Sequence, residues 1–282
     1  NTRSRGLGDV YKRQVIRGIS EIVSPLTVVR KKNGKPRVCV DYQYINQYTK
    51  IMSYPLPNID DLSSIIPVNS RVFSTLDLRE AYLNLPLTYR AQKVAAMISQ
   101  YGTFLPLRTT FGLKNAPMAF QRLMDDIMAP CHNFSFTYID DIIIYSKSME
   151  EHMQHLFEVL FQLNKFGLHI NREKCKFAAE EVQYLGHILS SKGFYMQQSK
   201  VEAIENFQTP QTIKHLRSFL GCLNYYNKFA PKLAEILQPL YKLTTGEPKN
   251  SRKKLIWETE HQAAFEKAIQ TLVSATHLSY ED

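Results

Sequence analysis

The pattern of apolar and polar positions divides the chain into short strands and amphipathic helices. The segments LTVVRKK and PRVCVDY flank Asn33-Gly34, and because both turn residues tolerate positive φ the pair predicts a β-hairpin with a type I′ turn. Arg71 to Leu78 reads as a strand, and Asn115 to Met128 as a helix with Pro117 in its first turn. Along that helix Phe120, Leu123, Met124, Ile127 and Met128 recur at helical spacing, which marks a core-facing side. Phe134 to Ser146 predicts two strands meeting at Asp140-Asp141, with Ile142 to Ile144 having the composition of a buried strand. A helix from Met149 to Phe166 opens at a Ser148 to Glu151 capping box and stops at Gly167.

From Ser199 onward helices dominate, over Lys200 to Phe207, Ile213 to Ala230 and Leu233 to Leu243, followed by a polar stretch from Thr244 to Lys254. A last helix is expected from a Thr259 to Gln262 capping box to about Ser274. Mixed strands and helices followed by a small helical bundle give an α+β fold class. Asn1 to Gln14 show no clear period, resemble translated adapter sequence and are left out of fold reasoning. No internal repeat is visible.

Composition narrows the function classes. The chain has 282 residues, 44% of them hydrophobic, enough for a sizeable core in two or three subdomains. No run approaches the roughly 18 apolar residues of a membrane span, and no signal peptide is evident, so an intracellular setting without membrane attachment is expected. Cys39, Cys131, Cys175 and Cys222 lie far apart with no Cys-x-x-Cys pair, which argues for reduced thiols rather than a zinc knuckle or disulfide framework. An excess of 35 Lys and Arg over 26 Asp and Glu, a net charge of +9, favours a polyanionic partner.

Asp77 closes a predicted strand, and Asp140-Asp141 sits at a turn between apolar strands, where an uncompensated acid pair is costly unless a cation is held there. Nucleotidyl transfer uses two divalent cations gathered by two or three such carboxylates, with substrate phosphates and water filling the magnesium octahedron. Asp-Asp also occurs at Asp60-Asp61, read as a helix N-terminus, and at Asp125-Asp126, read as part of an amphipathic helix. Glu151-His152 and His155 lack the His-Glu-x-x-His arrangement and are read as a solvated helix face. Tyr225-Tyr226, near Arg217 and Lys228, are read as bundle core in preference to a surface that stacks on nucleic acid.

From Ser24 onward the chain resembles reverse transcriptases of gypsy-type LTR retrotransposons. The blocks VVRKKNGKPRVCVDYQYIN, FSTLDLREAY, FGLKNAPMAFQRLMD, YIDD, GLHINREKC and YLGHILSSKG follow one another in that family's order. TIKHLRSFLGCLNYYNKFAPKLAEILQPL resembles its thumb, and KLIWETEHQAAFEKAI the start of its connection. The resemblance implies a right-hand polymerase fold. Fingers and palm would take residues 15–190, a small helical thumb 191–247, and a connection toward an RNase H domain 248–282.

It also implies an RNA-directed DNA polymerase. Asp77, Asp140 and Asp141 would be its catalytic carboxylates, holding two Mg2+ ions with help from the Leu78 carbonyl, and Mn2+ would be a substitute. Lys174 would protonate the leaving pyrophosphate. Lys31, Lys32 and Arg37 would grip the incoming triphosphate, Phe111-Gly112 would line its pocket, and Tyr82 would be the sugar gate. The hairpin Tyr184, Leu185, Gly186 and His187 would grip the primer end. Implied partners are an RNA or DNA template with primer, deoxynucleoside triphosphates, and a polyprotein with protease, RNase H and integrase, in the cytoplasm or a virus-like particle. Gln43 replaces the family's usual arginine, and Thr109-Thr110 the usual bulky residue and proline before Phe-Gly. These departures leave open a catalytically inactive, nucleic-acid-binding remnant, whereas an RNA-dependent RNA polymerase is disfavoured by the bulk of Tyr82.

Overall fold

The computed structural model describes residues 14–30, 34, 36–230, 232–248, 251–274 and 277–278, without the side chains of Arg37, Asp60, His277 and Leu278. Within it run β1 (Val15–Arg17), β2 (Ser24–Arg30), β3 (Pro36–Val40), α1 (Gln43–Tyr48), α2 (Leu62–Ile65), β4 (Val72–Asp77), α3 (Tyr89–Val94), β5 (Met97–Ser99) and β6 (Gly102–Pro106). There follow α4 (Ala116–Met128), β7 (Ser135–Tyr138), β8 (Asp141–Ser146), α5 (Met149–Lys165), β9 (Lys176–Ala179), β10 (Glu181–Tyr184), β11 (His187–Ser190) and β12 (Gly193–Met196). The chain closes with α6 (Gln198–Glu205), α7 (Ile213–Tyr225), α8 (Leu233–Ile236), α9 (Gln238–Lys242), α10 (Thr259–Ser274) and β13 (His277–Leu278). Contacts divide the chain into two compact units. The first takes the described residues up to Pro57 with Ser74–Ile144 and Met153–Phe177, and the second takes Asn58–Phe73, Tyr145–His152 and the described residues from Ala178.

In the first unit a five-stranded sheet has the order β1-β6-β5-β2-β3, and β2 pairs antiparallel with β3 from Leu26↔Val40 to Arg30↔Pro36. The predicted hairpin forms, but Asn33 lies outside the described residues and its turn type with it. A second sheet has the order β7-β8-β4-β9. Its apolar residues Leu76, Leu78, Ile142 and Ile144 pack with Phe120, Met124, Ile127 and Met128 of α4 and Val159 and Leu163 of α5, all nearly inaccessible to solvent. Burial of this kind contributes about 1.5–3 kcal/mol per large side chain, so these residues fix how α4 and the two aspartate-bearing strands meet.

The Thr109-Thr110 departure is accommodated by hydrogen bonding. Buried Tyr42 donates its hydroxyl to Ala95 O at 3.0 Å, so Thr110 Oγ1, 2.8 Å away, donates to Tyr42 in turn. Thr109 N donates to Leu85 O at 2.8 Å.

In the second unit a sheet of order β10-β11-β12-β13 is accompanied by the helices α6 to α10, with α10 packing against α6, α8 and α9. Here the structure corrects several expectations. The helix expected over Ile213 to Ala230 ends at Tyr225 and a short 3-10 turn, Asn227–Phe229, follows it. The one expected over Leu233 to Leu243 breaks at Leu237, where Pro239 enters the first turn of α9 and has no N–H to continue the ladder. The Thr259 to Gln262 capping box does not form. Gln262 Oε1 instead accepts from Trp257 Nε1 at 2.8 Å, and His261 Nδ1 accepts from Glu258 N at 3.0 Å. Ser148 does cap α5, its Oγ accepting from Glu151 N at 3.2 Å. The solvated-face reading of the α5 histidines is overturned. His152 is 0% exposed with Nδ1 2.8 Å from Ser146 Oγ, and within the first unit His155 stacks on Phe134 at 3.9 Å.

Candidate active site

Asp77 ends β4, and the backbone amide of the next residue, Leu78, donates to the carbonyl of Asp140 at 3.2 Å. The β7–β8 hairpin pairs Tyr138 with Asp141, so its turn is Ile139-Asp140, one residue earlier than the expected Asp140-Asp141. Ile139 has φ +58°, a left-handed conformation that costs a β-branched residue about 1–3 kcal/mol. Asp140 thus projects from a tight turn and Asp141 from the first position of a strand whose next residues are buried isoleucines.

A third segment, 168–175, completes the surroundings. Leu78 forms an antiparallel bridge with Ile170, Arg79 N donates to His169 O at 2.7 Å, and Asn171 N donates to Asp77 O at 2.8 Å. This brings Lys174 Nζ to 2.8 Å from Asp77 Oδ2, with the lysine side chain 63% and the aspartate 21% exposed. Sequence reasoning did not single out Cys175, whose Sγ accepts from Asp77 N at 3.5 Å and donates to Asn171 O at 3.2 Å. No pattern signal marks such a thiol, because its partners are backbone atoms.

The electrostatics follow from this crowding. Burial raises the Asp140 carboxyl above its usual range, with Asp77 adding to the rise and Lys174 opposing it. Burial, then the charges of Asp140 and Asp77, push Asp141 up to about 6, again with Lys174 opposing. The hydrogen bond to Asp77 raises Lys174, which keeps its proton. Among the described residues no three His, Cys, Asp or Glu side chains form a preassembled metal cage. One or two carboxylates with substrate phosphates are sufficient for magnesium, so the three aspartates remain an oxygen donor set of the right chemistry.

Tyr82 lies in the 3-10 turn Ala81–Asn84 that follows β4, edge-on to Phe111 at 5.1 Å and to Phe120 at 5.7 Å between ring centres. Gly112 has φ +97°, and a Cβ there would lie 3.4 Å from both Tyr42 Cδ2 and Val40 O. Its carbonyl accepts from Asn46 Nδ2 at 2.8 Å, which ties Phe111-Gly112 to α1. Asp77, Leu78, Tyr82, Phe111, Gly112, Asp140, Asp141 and Lys174 therefore all belong to the first unit. Lys31 and Lys32 lie outside the described residues, as does the side chain of Arg37, whose backbone pairs with Val29.

Tyr184, Leu185, Gly186 and His187 belong to the second unit, where Leu185 (φ +47°) and Gly186 (φ +82°) turn the chain between β10 and β11. Tyr225 Oη donates to Leu185 O at 2.7 Å, and buried His187 stacks on the rings of Phe194 and Tyr225, at 4.4 and 5.5 Å. Tyr226 is buried as expected, whereas Tyr225 is 41% exposed, so the pair is only half core.

A family model for reverse transcriptase (RNA-dependent DNA polymerase) matches residues 29–189. The Transposon Tf2-3 polyprotein of Schizosaccharomyces pombe is 35% identical over 259 residues, covering 92% of this chain and 19% of the polyprotein. The retrovirus-related Pol polyprotein from transposon 297 of Drosophila melanogaster is 35% identical over 250 residues, covering 86% of this chain and 23% of that one. The chain thus spans about a fifth of the length of these polyproteins. The foamy viral protease-reverse transcriptase dRH, solved in complex with ds DNA, superposes with a TM-score of 0.85 at 26% identity, covering 97% of this chain and 47% of that one. The foamy viral protease-reverse transcriptase solved with RNA/DNA hybrid gives 0.82 at 25% identity over 98% of this chain and 37% of that one. From the motif order, the right-hand polymerase fold and these relatives, the chain belongs to the reverse transcriptase (RNA-dependent DNA polymerase) family, beside the polyproteins of retrotransposons.

Proposed function

We propose that this chain is the catalytic core of an RNA-directed DNA polymerase that adds deoxynucleotides to a primer 3′-hydroxyl by two-metal catalysis. The observation that carries the reading is the juxtaposition of Asp77, Asp140 and Asp141, held by the Leu78–Asp140 backbone bond, with Lys174 ion-paired to Asp77. Three partly desolvated carboxylates repel one another, and a hard divalent cation offsets that repulsion more fully than one ammonium. Asp77 and Asp140 are the main proposed donors for magnesium, with the Leu78 carbonyl assisting and Asp141 a less essential third, and manganese is a substitute. When bound, such ions supply charge stabilisation at the primer hydroxyl and the departing pyrophosphate.

The chain's own groups take the remaining roles. Lys174 holds a proton at Nζ for the leaving pyrophosphate. Lys31, Lys32 and Arg37 neutralise the incoming triphosphate, Phe111-Gly112 lines its pocket, and the Tyr82 ring excludes a 2′-hydroxyl. The turn of Tyr184 to His187 holds the primer end. The net charge of +9 supports a nucleic-acid partner, as do the relatives solved with ds DNA and with RNA/DNA hybrid. In this reading residues 15–190 are fingers and palm, 191–247 thumb and 248–282 the beginning of a connection, within a polyprotein that also carries protease, RNase H and integrase.

Primer extension by the full chain on an RNA template, with magnesium and deoxynucleotides, tests the proposal. Extension that is lost on chelation supports it. Duplex binding without extension would replace it with the inactive, nucleic-acid-binding remnant.

A further inference from the structure

Gln121 faces the core side of α4 at 0% exposure, a polar side chain among Phe120, Met124 and Ile127. All of its polar atoms are used. Oε1 accepts from the amide of Ile139 at 2.6 Å, while Nε2 donates to Thr137 O at 3.1 Å and to Asp125 Oδ1 at 2.7 Å. The other carboxylate oxygen of Asp125 accepts a very short hydrogen bond from Tyr54 Oη. An amide N–H needs an acceptor and a carbonyl needs a donor, so the partners on β7 and the turn fix which end of the amide is oxygen. A buried acceptor thus meets the one residue of the Ile139-Asp140 turn that has positive φ, in a position where a two-residue hairpin ordinarily places glycine.

We infer that Gln121 is a positioning residue for the Asp140-Asp141 carboxylates, holding Ile139 in its left-handed conformation from beneath, with Asp125 and Tyr54 orienting the glutamine. The inference rests on the proposed polymerase reading for its catalytic consequence, though not for the mechanical one. The turn is bracketed on both flanks, since Leu78 N holds the Asp140 carbonyl while Gln121 holds the Ile139 amide. With the second hold removed, isoleucine gains freedom to leave the left-handed region, and the aspartates leave their place with it.

Gln121→Met keeps length and bulk but neither accepts from Ile139 nor donates to Thr137, and Gln121→Glu keeps only the acceptor. In metal-free full chain, hydrogen exchange at the Ile139 amide is expected to quicken about 10-fold or more in Gln121→Met. Single-turnover extension at saturating primer-template and nucleotide should fall about 10-fold or more, with the Kd for primer-template essentially unchanged. Ile139→Gly added to Gln121→Met should recover part of that rate, because glycine occupies the left-handed region without support. Unchanged exchange at Ile139, or a loss confined to Kd or to the melting temperature, overturns the inference. If Gln121→Met fails to fold, Gln121→Leu takes the same measurements, with slowed extension as the expected result and a parental rate as the overturning one, while Gln121→Glu, which keeps the acceptor, should retain most of the Ile139 protection. A parent chain that extends nothing defeats the polymerase reading, while the exchange result still decides whether Gln121 holds the turn.

Discussion

Leu78 and Asp140 are joined by a backbone hydrogen bond of 3.2 Å, so the strand bearing Asp77 and the turn bearing Asp140 are tied one residue or less from each carboxylate. The two side chains are placed by backbone, and substituting either acid leaves that tie intact. Asp77→Asn and Asp140→Asn are therefore expected to fold normally, bind duplex nearly as the parent does, and lose extension by several orders of magnitude. Asp141→Asn should lose less. Parental extension rates in all three would show that the chemistry lies elsewhere.

Asp141 also predicts a pH-dependent gain in stability. Its carboxyl is pushed up to about 6 in the folded chain from 3.8, chiefly by burial. A raised acid favours folding below the unfolded value and loses that contribution as pH rises through the folded one, so near neutral pH the ionised group opposes folding. Asp141→Asn should melt higher than the parent at pH 7.5 without metal, by about 1 kcal/mol once solvent screening is discounted, and the gap should close near pH 4. Equal melting curves at both pH values would refute the burial argument.

Tyr82 packs edge-on to both Phe111, in the segment proposed to line the nucleotide pocket, and Phe120 of the helix core. Tyr82→Ala should admit ribonucleotides, reducing the preference for deoxynucleotides about 10-fold or more, with some loss of stability from the vacated ring. Single-nucleotide incorporation with matched pairs, run beside a thermal melt, separates the two effects. A destabilised variant with parental selectivity would make Tyr82 a packing residue alone.

Tyr225→Phe deletes only the hydroxyl that donates to Leu185 O. A neutral hydrogen bond contributes about 0.5–1.5 kcal/mol, so under the proposed primer-grip role of this turn primer-template should dissociate roughly 3- to 10-fold faster while the fold is almost unaffected. Stopped-flow dissociation reads this directly. Unaltered release would mean that the turn keeps its shape without the tyrosine.

The strands and helices that frame the carboxylates were legible because their signals are local, such as the isoleucine run at 142–144, Pro117 at the start of α4 and Gly167 after α5. The motif order likewise led to the correct family. What stayed hidden depends on contacts far apart in sequence. His152 sits in a polar stretch yet is buried against Ser146, and Gln121 looks like a single polar break in an apolar face until Ile139 is seen above it. Trp257 takes the glutamine side chain that a local capping rule assigns to the α10 terminus, a tertiary partner displacing a local one.

The Ile139-Asp140 turn contains only two residues between paired strands, and side chains on those strands alternate in direction. Adding or deleting one codon between Ser135 and Ser146 would exchange the two faces of the strand beyond the lesion and take Ile142 and Ile144, which pack in the cluster with α4 and α5, off that face. Length in this stretch is therefore constrained by the fold as tightly as the identity of the acids. A single insertion or deletion here should abolish extension under the proposed polymerase reading, where most substitutions of exposed residues in the same stretch would not.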